Sequence, residues 1–105
     1  MPPKMRFCDP TACGTLTAGK GRYEAVYDDD PTTSFYAVGE GTTTSLTLYR
    51  VDRGGKTATL TGKFSAEGNR LLDGVMTWDD GRRVPFNLAW GKAISGVVRP
   101  KGQVR

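Results

Sequence analysis

The chain of 105 residues has the length of one small domain, enough to bury about 60–70% of its unfolded surface around a single core. Hydrophobic residues make up 37% and charged residues 25%, with a net charge of +4, which indicates a folded chain and excludes an intrinsically disordered one. No apolar run approaches the roughly 18 residues of a membrane helix. Histidine is absent, which excludes Ser–His–Asp catalysis and imidazole zinc sites. We expect residues 1–105 to form one domain that does not cross a membrane.

The N-terminal segment, residues 1–11, is predicted to be an extension outside the β-structure. It lacks the apolar centre of about 7–15 residues that a secretory signal has, which indicates a cytoplasmic protein, or a secreted one if a signal was removed. Cys8 and Cys13 flank Asp9-Pro10, which favours a turn that brings the two sulfurs together. The pair is either a disulfide, which would indicate an oxidising compartment, or two free thiols. Two sulfurs cannot complete a zinc site, so no metal site is predicted.

Apolar and polar residues alternate with period two along the rest of the chain, which is typical of half-buried antiparallel strands. Turn signals rich in Gly, Asp and Pro separate the runs at intervals of about 8–14 residues. The predicted strands cover residues 12–17, 21–28, 33–39, 43–51, 56–64, 70–79, 82–91 and 93–99. Leu72 and Ile94 are among the residues assigned to the inward face.

About eight short strands joined by hairpins predict an all-β fold. A closed up-and-down barrel is favoured over an open sandwich because closure removes the exposed edges of a meander. Gly62, Gly74 and Gly96 lie inside predicted strands and fit positions where a sheet bends sharply.

The stretch WDDGRRV, residues 78–84, predicts a tight hairpin. Asp80-Gly81 tolerates the positive φ angles of a type I′ turn. Arg82 and Arg83 follow this turn directly, so they are expected at an exposed tip, where sequence changes cost little stability.

Basic charge is concentrated at one end of the chain. Residues 1–80 carry nine Lys and Arg against eleven acids, a net of −2, whereas residues 81–105 carry six basic residues and no acid. Residues 100–105 are predicted to be a mobile basic tail, since Pro100 ends the last strand. Such a surface attracts acidic partners. The predicted partner-binding residues are Arg82, Arg83, Lys92, Arg99 and Lys101.

Several large aromatic side chains fall on the inward faces, where they fill the interior by default. An alternative is a small apolar ligand inside the barrel. Its predicted lining includes Tyr23, Tyr27, Trp78 and Trp90. Outward tyrosines and basic residues leave a second alternative, a surface for single-stranded nucleic acid.

Acidic residues cluster at Asp28–Asp30 and at Asp79-Asp80. Adjacent strand residues point to opposite faces, so these clusters are interpreted as solvated turns rather than as calcium or catalytic sites. No nucleophile motif is present. The sequence therefore predicts a protein that is not an enzyme and has no cofactor.

These features favour a small, basic, non-enzymatic β-barrel that binds an acidic macromolecule, by preference a protein. Inhibition of an enzyme is one form that such binding could take. A monomer is the simplest form, although the oligomeric state is left open by the sequence. If the sheet fails to close, pairing of its edges would favour a dimer.

Overall fold

The computed structural model describes residues 2–30, 34–41, 45–52 and 54–101, which form nine β-strands and a short 3₁₀ helix. Among these residues no helix is long and apolar enough to span a membrane. The predicted all-β class is confirmed. The strands are β1 (Lys4–Cys8), β2 (Cys13–Ala18), β3 (Tyr23–Tyr27), β4 (Ser34–Gly41), β5 (Ser45–Asp52), β6 (Thr57–Phe64), β7 (Leu71–Trp78), β8 (Arg83–Pro85) and β9 (Asn87–Ala89), and the 3₁₀ helix covers Gly91–Gly96.

The strands pair antiparallel in the order β8-β7-β6-β5-β4-β3-β2-β1-β9. From β1 to β8 each strand pairs with the next one in the sequence, as expected for a meander. A single residue, Phe86, separates β8 from β9. Since β8 pairs with β7 and β9 with β1, the extended stretch 83–89 pairs with both ends of the meander.

The core consists of inward side chains that alternate with exposed residues along the strands. In β3, Tyr23, Ala25 and Tyr27 are buried, as predicted. Phe7 stacks on Phe86 with ring centroids 5.6 Å apart. Burial of one large apolar side chain contributes about 1.5–3 kcal/mol, so this interior is the main source of stability. The largest solvent-inaccessible side chains are Phe7, Phe35, Phe86, Met5, Leu16, Leu46, Leu48, Leu60, Met76 and Leu88.

The N-terminal segment belongs to the sheet, so the prediction of an extension over residues 1–11 is wrong for β1. Met5, Phe7 and Cys8 are inaccessible to solvent. The alternating run in β1 is only five residues long, too short to stand out in the sequence. It forms a strand because β2 and β9 supply hydrogen-bond partners on both of its edges.

The predicted strand 93–99 is replaced by the 3₁₀ helix and an irregular segment. Ile94 is only half-buried, and Val98 is 66% exposed. Since β9 already pairs with β1, this part of the chain finds no strand edge to continue the sheet there. Pro100 and Lys101 have no regular secondary structure, and residues 102–105 of the predicted tail lie outside the described residues.

A bulge in β7 reverses the predicted orientation of its first residues. Thr61 and Lys63 of β6 pair with Val75 and Leu72, so two residues of β7 lie opposite one of β6. Consequently Leu71 is buried and Leu72 is 43% exposed, opposite to the prediction for Leu72.

The 78–82 hairpin forms where predicted, but with a different turn. The N–H of Gly81 donates to the Trp78 carbonyl, and the N–H of Trp78 donates to the Arg82 carbonyl. Gly81 has φ 87°, while Asp80 does not adopt a positive φ. This pattern is a type I turn followed by a left-handed glycine, rather than the type I′ turn, because only one residue has a positive φ.

Candidate functional site

The antiparallel order places the last residues of β1, β3, β5 and β7 at one end of the sheet. The turns at 9–12 and 79–82 lie at the same end, which we call the hairpin end. Trp90 and the turns at 19–22 and 65–70 lie at the opposite end. The hairpin end contains the most developed polar network of the described residues.

Arg50 is the centre of this network. Alternate side chains of β5 point inward, and Arg50 is one of them. Its side chain is only 5% exposed. Its Nε donates to Asp52 Oδ1 at 2.7 Å, and its Nη1 donates to the hydroxyl oxygen of Tyr27 at 3.0 Å and to the sulfur of Met76 at 3.5 Å. A buried charge is tolerated only when it is paired and hydrogen-bonded. These contacts meet that requirement.

Aromatic rings surround the Arg50 guanidinium. Its Cζ lies 3.8 Å from the ring centroid of Phe35 and 4.7 Å from that of Trp78. The Cζ of Arg82 lies 5.3 Å from the same Trp78 ring. Such cation–π contacts are stronger where solvent is excluded. Trp78 therefore links a buried cation, Arg50, to a cation at the tip, Arg82.

Arg82 is held in place while part of its side chain stays accessible. Its backbone N–H donates to Asp80 Oδ1 at 2.9 Å, and its Nε lies 3.9 Å from Asp80 Oδ2. The side chain is 40% exposed, yet its Nε is buried and makes no hydrogen bond within the described part of the chain. Arg83, the next residue, is exposed. The hairpin end thus presents a pre-positioned guanidinium with unused donor capacity.

A disulfide between Cys8 and Cys13 closes the neighbouring 9–12 turn. Inside that turn, Asp9 Oδ1 accepts hydrogen bonds from the N–H and hydroxyl of Thr11 and from the N–H of Ala12, each at 2.8 Å. Asp9 Oδ2 accepts from the Tyr27 hydroxyl at 3.3 Å. The covalently closed turn is thereby joined to Arg50 through Tyr27.

Several acids at this end already have partners. Arg6 donates two hydrogen bonds to the carboxylate of Asp28, at 2.7 and 2.6 Å, which lowers the pKa of Asp28. Asp79 Oδ2 accepts the Thr57 N–H at 3.1 Å. No group of three His, Cys, Asp or Glu residues that could hold a metal occurs in the described ranges.

The five predicted partner-binding residues do not form one surface. Arg82 and Arg83 lie at the hairpin end, whereas Lys92 follows β9 at the opposite end. Arg99 and Lys101 come after Val98, whose carbonyl accepts a hydrogen bond from Asn87 at 2.9 Å. Sequence proximity suggested one patch, but the extended stretch 83–89 separates Arg82 and Arg83 from Lys92.

The four aromatic residues predicted to line an interior ligand are divided between the two ends. Tyr27 and Trp78 lie at the hairpin end and contact Arg50. Tyr23 at the other end donates its hydroxyl hydrogen to the Pro2 carbonyl, and Trp90 Nε1 donates to the Gly68 carbonyl at 2.8 Å. Tyr23 and Tyr27 belong to the one core cluster, and Trp78 and Trp90 pack against it.

No family model, curated protein or solved structure matches this chain. The functional argument therefore depends on the geometry of the chain itself. At the hairpin end that geometry offers hydrogen-bond donors and positive charge on an aromatic support, which suits carboxylate recognition.

Sequence reasoning missed Arg50, the residue that organises the site. The sequence did contain an indication, because Leu46, Leu48 and Arg50 are alternate residues of β5 and therefore point to the same, inward face. A cation on the inward face of a strand needs an internal partner. Asp52 is two residues away, but Tyr27 and Phe35 are distant in sequence.

The Tyr27 hydroxyl makes the free energy of unfolding decrease at alkaline pH. Burial raises the pKa of the Tyr27 hydroxyl above its ordinary value, and Asp9 adds to the increase, although Arg50 opposes it. With a folded pKa above the unfolded one, this stabilisation is complete below about pH 10 and is lost as pH rises through the folded pKa. In urea titrations at pH 8 and pH 10.5, we expect a smaller decrease in the free energy of unfolding for Tyr27→Phe than for wild type. Equal decreases would contradict this assignment.

Proposed function

We propose that this protein is a non-enzymatic binding module that recognises an acidic surface of a partner protein through its hairpin end. The observation that carries the proposal is the guanidinium of Arg82, which is supported by Trp78 while its side chain stays 40% exposed. Arg and Trp are the residue types most enriched in interface hot spots.

Preorganisation supports this assignment. Immobilising a flexible side chain on binding costs about 0.5–1.5 kcal/mol. Arg82 already lies against Trp78, and Trp78 is held from within by Arg50. Part of the side-chain entropy that binding would cost is therefore already lost in the free protein. A partner carboxylate approaching Arg82 and exposed Arg83 would gain charge-assisted hydrogen bonds.

We further propose that the sheet closes into a barrel through the stretch 83–89, which pairs with β7 through β8 and with β1 through β9. Closure would leave no long free edge and would favour a monomer with a rigid hairpin end. The Cys8–Cys13 disulfide supports an oxidising compartment over the cytoplasm for this module. If the partner is an enzyme, occupation of its acidic surface would inhibit it.

The test is charge reversal at the tip, Arg82→Glu with Arg83→Glu. Partners are first captured from the native source and identified by mass spectrometry, and the purified partner is then titrated. We expect the variant to bind at least about tenfold more weakly, since loss of one hot spot costs about 2 kcal/mol or more. Raised salt should weaken wild-type binding through slower association.

The matched control reverses Lys4 and Lys20, which are exposed at the opposite end, and so changes the net charge by the same amount. Its affinity should stay near that of wild type. Equal losses in both variants would indicate general charge attraction and refute a site at the tip. Capture that nuclease abolishes would replace the protein partner with nucleic acid.

A further inference from the structure

A groove of about 530 Å³ lies beside the junction of β7 with β9, under the C-terminal segment. It is lined by the start of β7, by β9 and by residues 92–98. Its volume falls within the range of about 300–1,000 Å³ that is typical of small-molecule sites.

The lining residues 70–73 and 87–89 fall between two backbone contacts that join the β7 region to the stretch 86–90. The Phe86 N–H donates to the Gly74 carbonyl at 2.9 Å, and the Trp90 N–H donates to the Asn69 carbonyl at 2.8 Å. The bulge of β7 also falls between these contacts. The Asn87 side chain, which donates to the Val98 carbonyl at 2.9 Å, holds the C-terminal segment over the gap.

Asp73, in the bulge, adds an independent indication. It is the described non-glycine residue with a positive φ, 53°. Residues other than glycine rarely adopt this conformation, and such strain is concentrated at functional sites. Asp73 also lines the groove.

The lining combines apolar surface with an excess of positive charge. Leu72 and Val98 line the groove and are 43% and 66% exposed. Arg70 and Lys92 are its cations and Asp73 is its acid, a net charge of +1. Within the described part of the chain, neither cation's side chain forms an ion pair with Asp73 or any other acid. A ligand with one anionic group would balance this charge.

We propose that the groove binds a small amphiphilic anion, a single carboxylate on an apolar chain, as in a medium-chain fatty acid. Arg70 and Lys92 take the carboxylate, and Leu72 and Val98 contact the chain. None of Arg82, Arg83 and Trp78 lines the groove, so this site is independent of the proposed partner surface.

Calorimetric titration with octanoate tests the proposal, with 1-octanol as the neutral probe. Wild type should bind octanoate saturably and 1-octanol more weakly. The double variant Arg70→Gln with Lys92→Gln should bind octanoate at least about tenfold more weakly, because charge-assisted hydrogen bonds are lost. Its affinity for 1-octanol should equal that of wild type. Leu72→Gln should lower the affinity for both probes.

Lys4→Gln with Lys20→Gln, a change of equal charge outside the groove, should leave both affinities unchanged. In amide NMR spectra, octanoate should shift the signals of Asn87 and Val98. The proposal is overturned if octanoate does not bind saturably, if the groove variant binds as tightly as wild type, or if the shifts lie elsewhere.

Discussion

Replacing Arg50 with alanine is expected to lower the free energy of unfolding by about 3–5 kcal/mol. The guanidinium pairs with Asp52 and donates to Tyr27, so its removal leaves two polar groups without their partner. It also leaves space between the rings of Phe35 and Trp78. Urea unfolding followed by tryptophan emission measures the change, since Trp78 reports directly on the site.

The Arg50→Met variant distinguishes the contribution of packing to stability from that of the charge. Methionine restores apolar volume between the rings but supplies no donor, so we expect a loss smaller than that of alanine. Arg83→Ala, at an exposed position of the same end, should change stability by no more than about 0.5 kcal/mol. If Arg50→Ala unfolds with the same midpoint as wild type, the network has no structural role.

The same substitution connects stability to binding. Without Arg50, Trp78 loses the contact that holds it from the interior, and Arg82 loses a fixed support. The affinity for the partner should therefore fall even though Arg50 itself is buried. The site is thus built from the interior outward, and Arg82 and Arg83 are its exposed elements.

The strands of the meander were predictable because each pairs with its sequence neighbour. Local alternation is sufficient there, as in β3, where Tyr23 and Tyr27 point inward as expected. β1 and the segment after Trp90 were not predictable, because their structure depends on which edges remain free once the meander has formed. A strand pairing between residues about 80 apart, such as Phe7 with Leu88, leaves no local pattern.

The candidate site was predictable only at its surface. The DDG turn placed Arg82 and Arg83 at a hairpin tip, and they lie there. Arg50 was overlooked because, apart from Asp52 in its own strand, its contacts come from β3, β4 and β7, and single-sequence alternation does not reveal which residues meet across an interior. The groove depends on a bulge, and a bulge cancels the period-two pattern that the prediction used.

Gly74→Ala is expected to lower the free energy of unfolding by about 1–3 kcal/mol and to change the groove. A Cβ at this position would lie 2.1 Å from the carbonyl oxygen of Phe86, and backbone cannot move aside as a flexible side chain can. The Phe86 N–H also donates to the Gly74 carbonyl. The substitution therefore pushes β7 and the stretch 83–89 apart at the point that fixes their junction.

Gly54→Ala provides the matched control, because a Cβ there would meet no atom within 4 Å and Gly54 does not line the groove. Its stability should stay within about 0.5 kcal/mol of wild type. Urea unfolding and octanoate titration of both variants give the comparison. Since the groove opens beside this junction, Gly74→Ala should alter octanoate affinity, whereas charge reversal at the tip should not. If Gly74→Ala matches Gly54→Ala in both measurements, the close approach at Phe86 does not constrain the fold, and the groove does not depend on it.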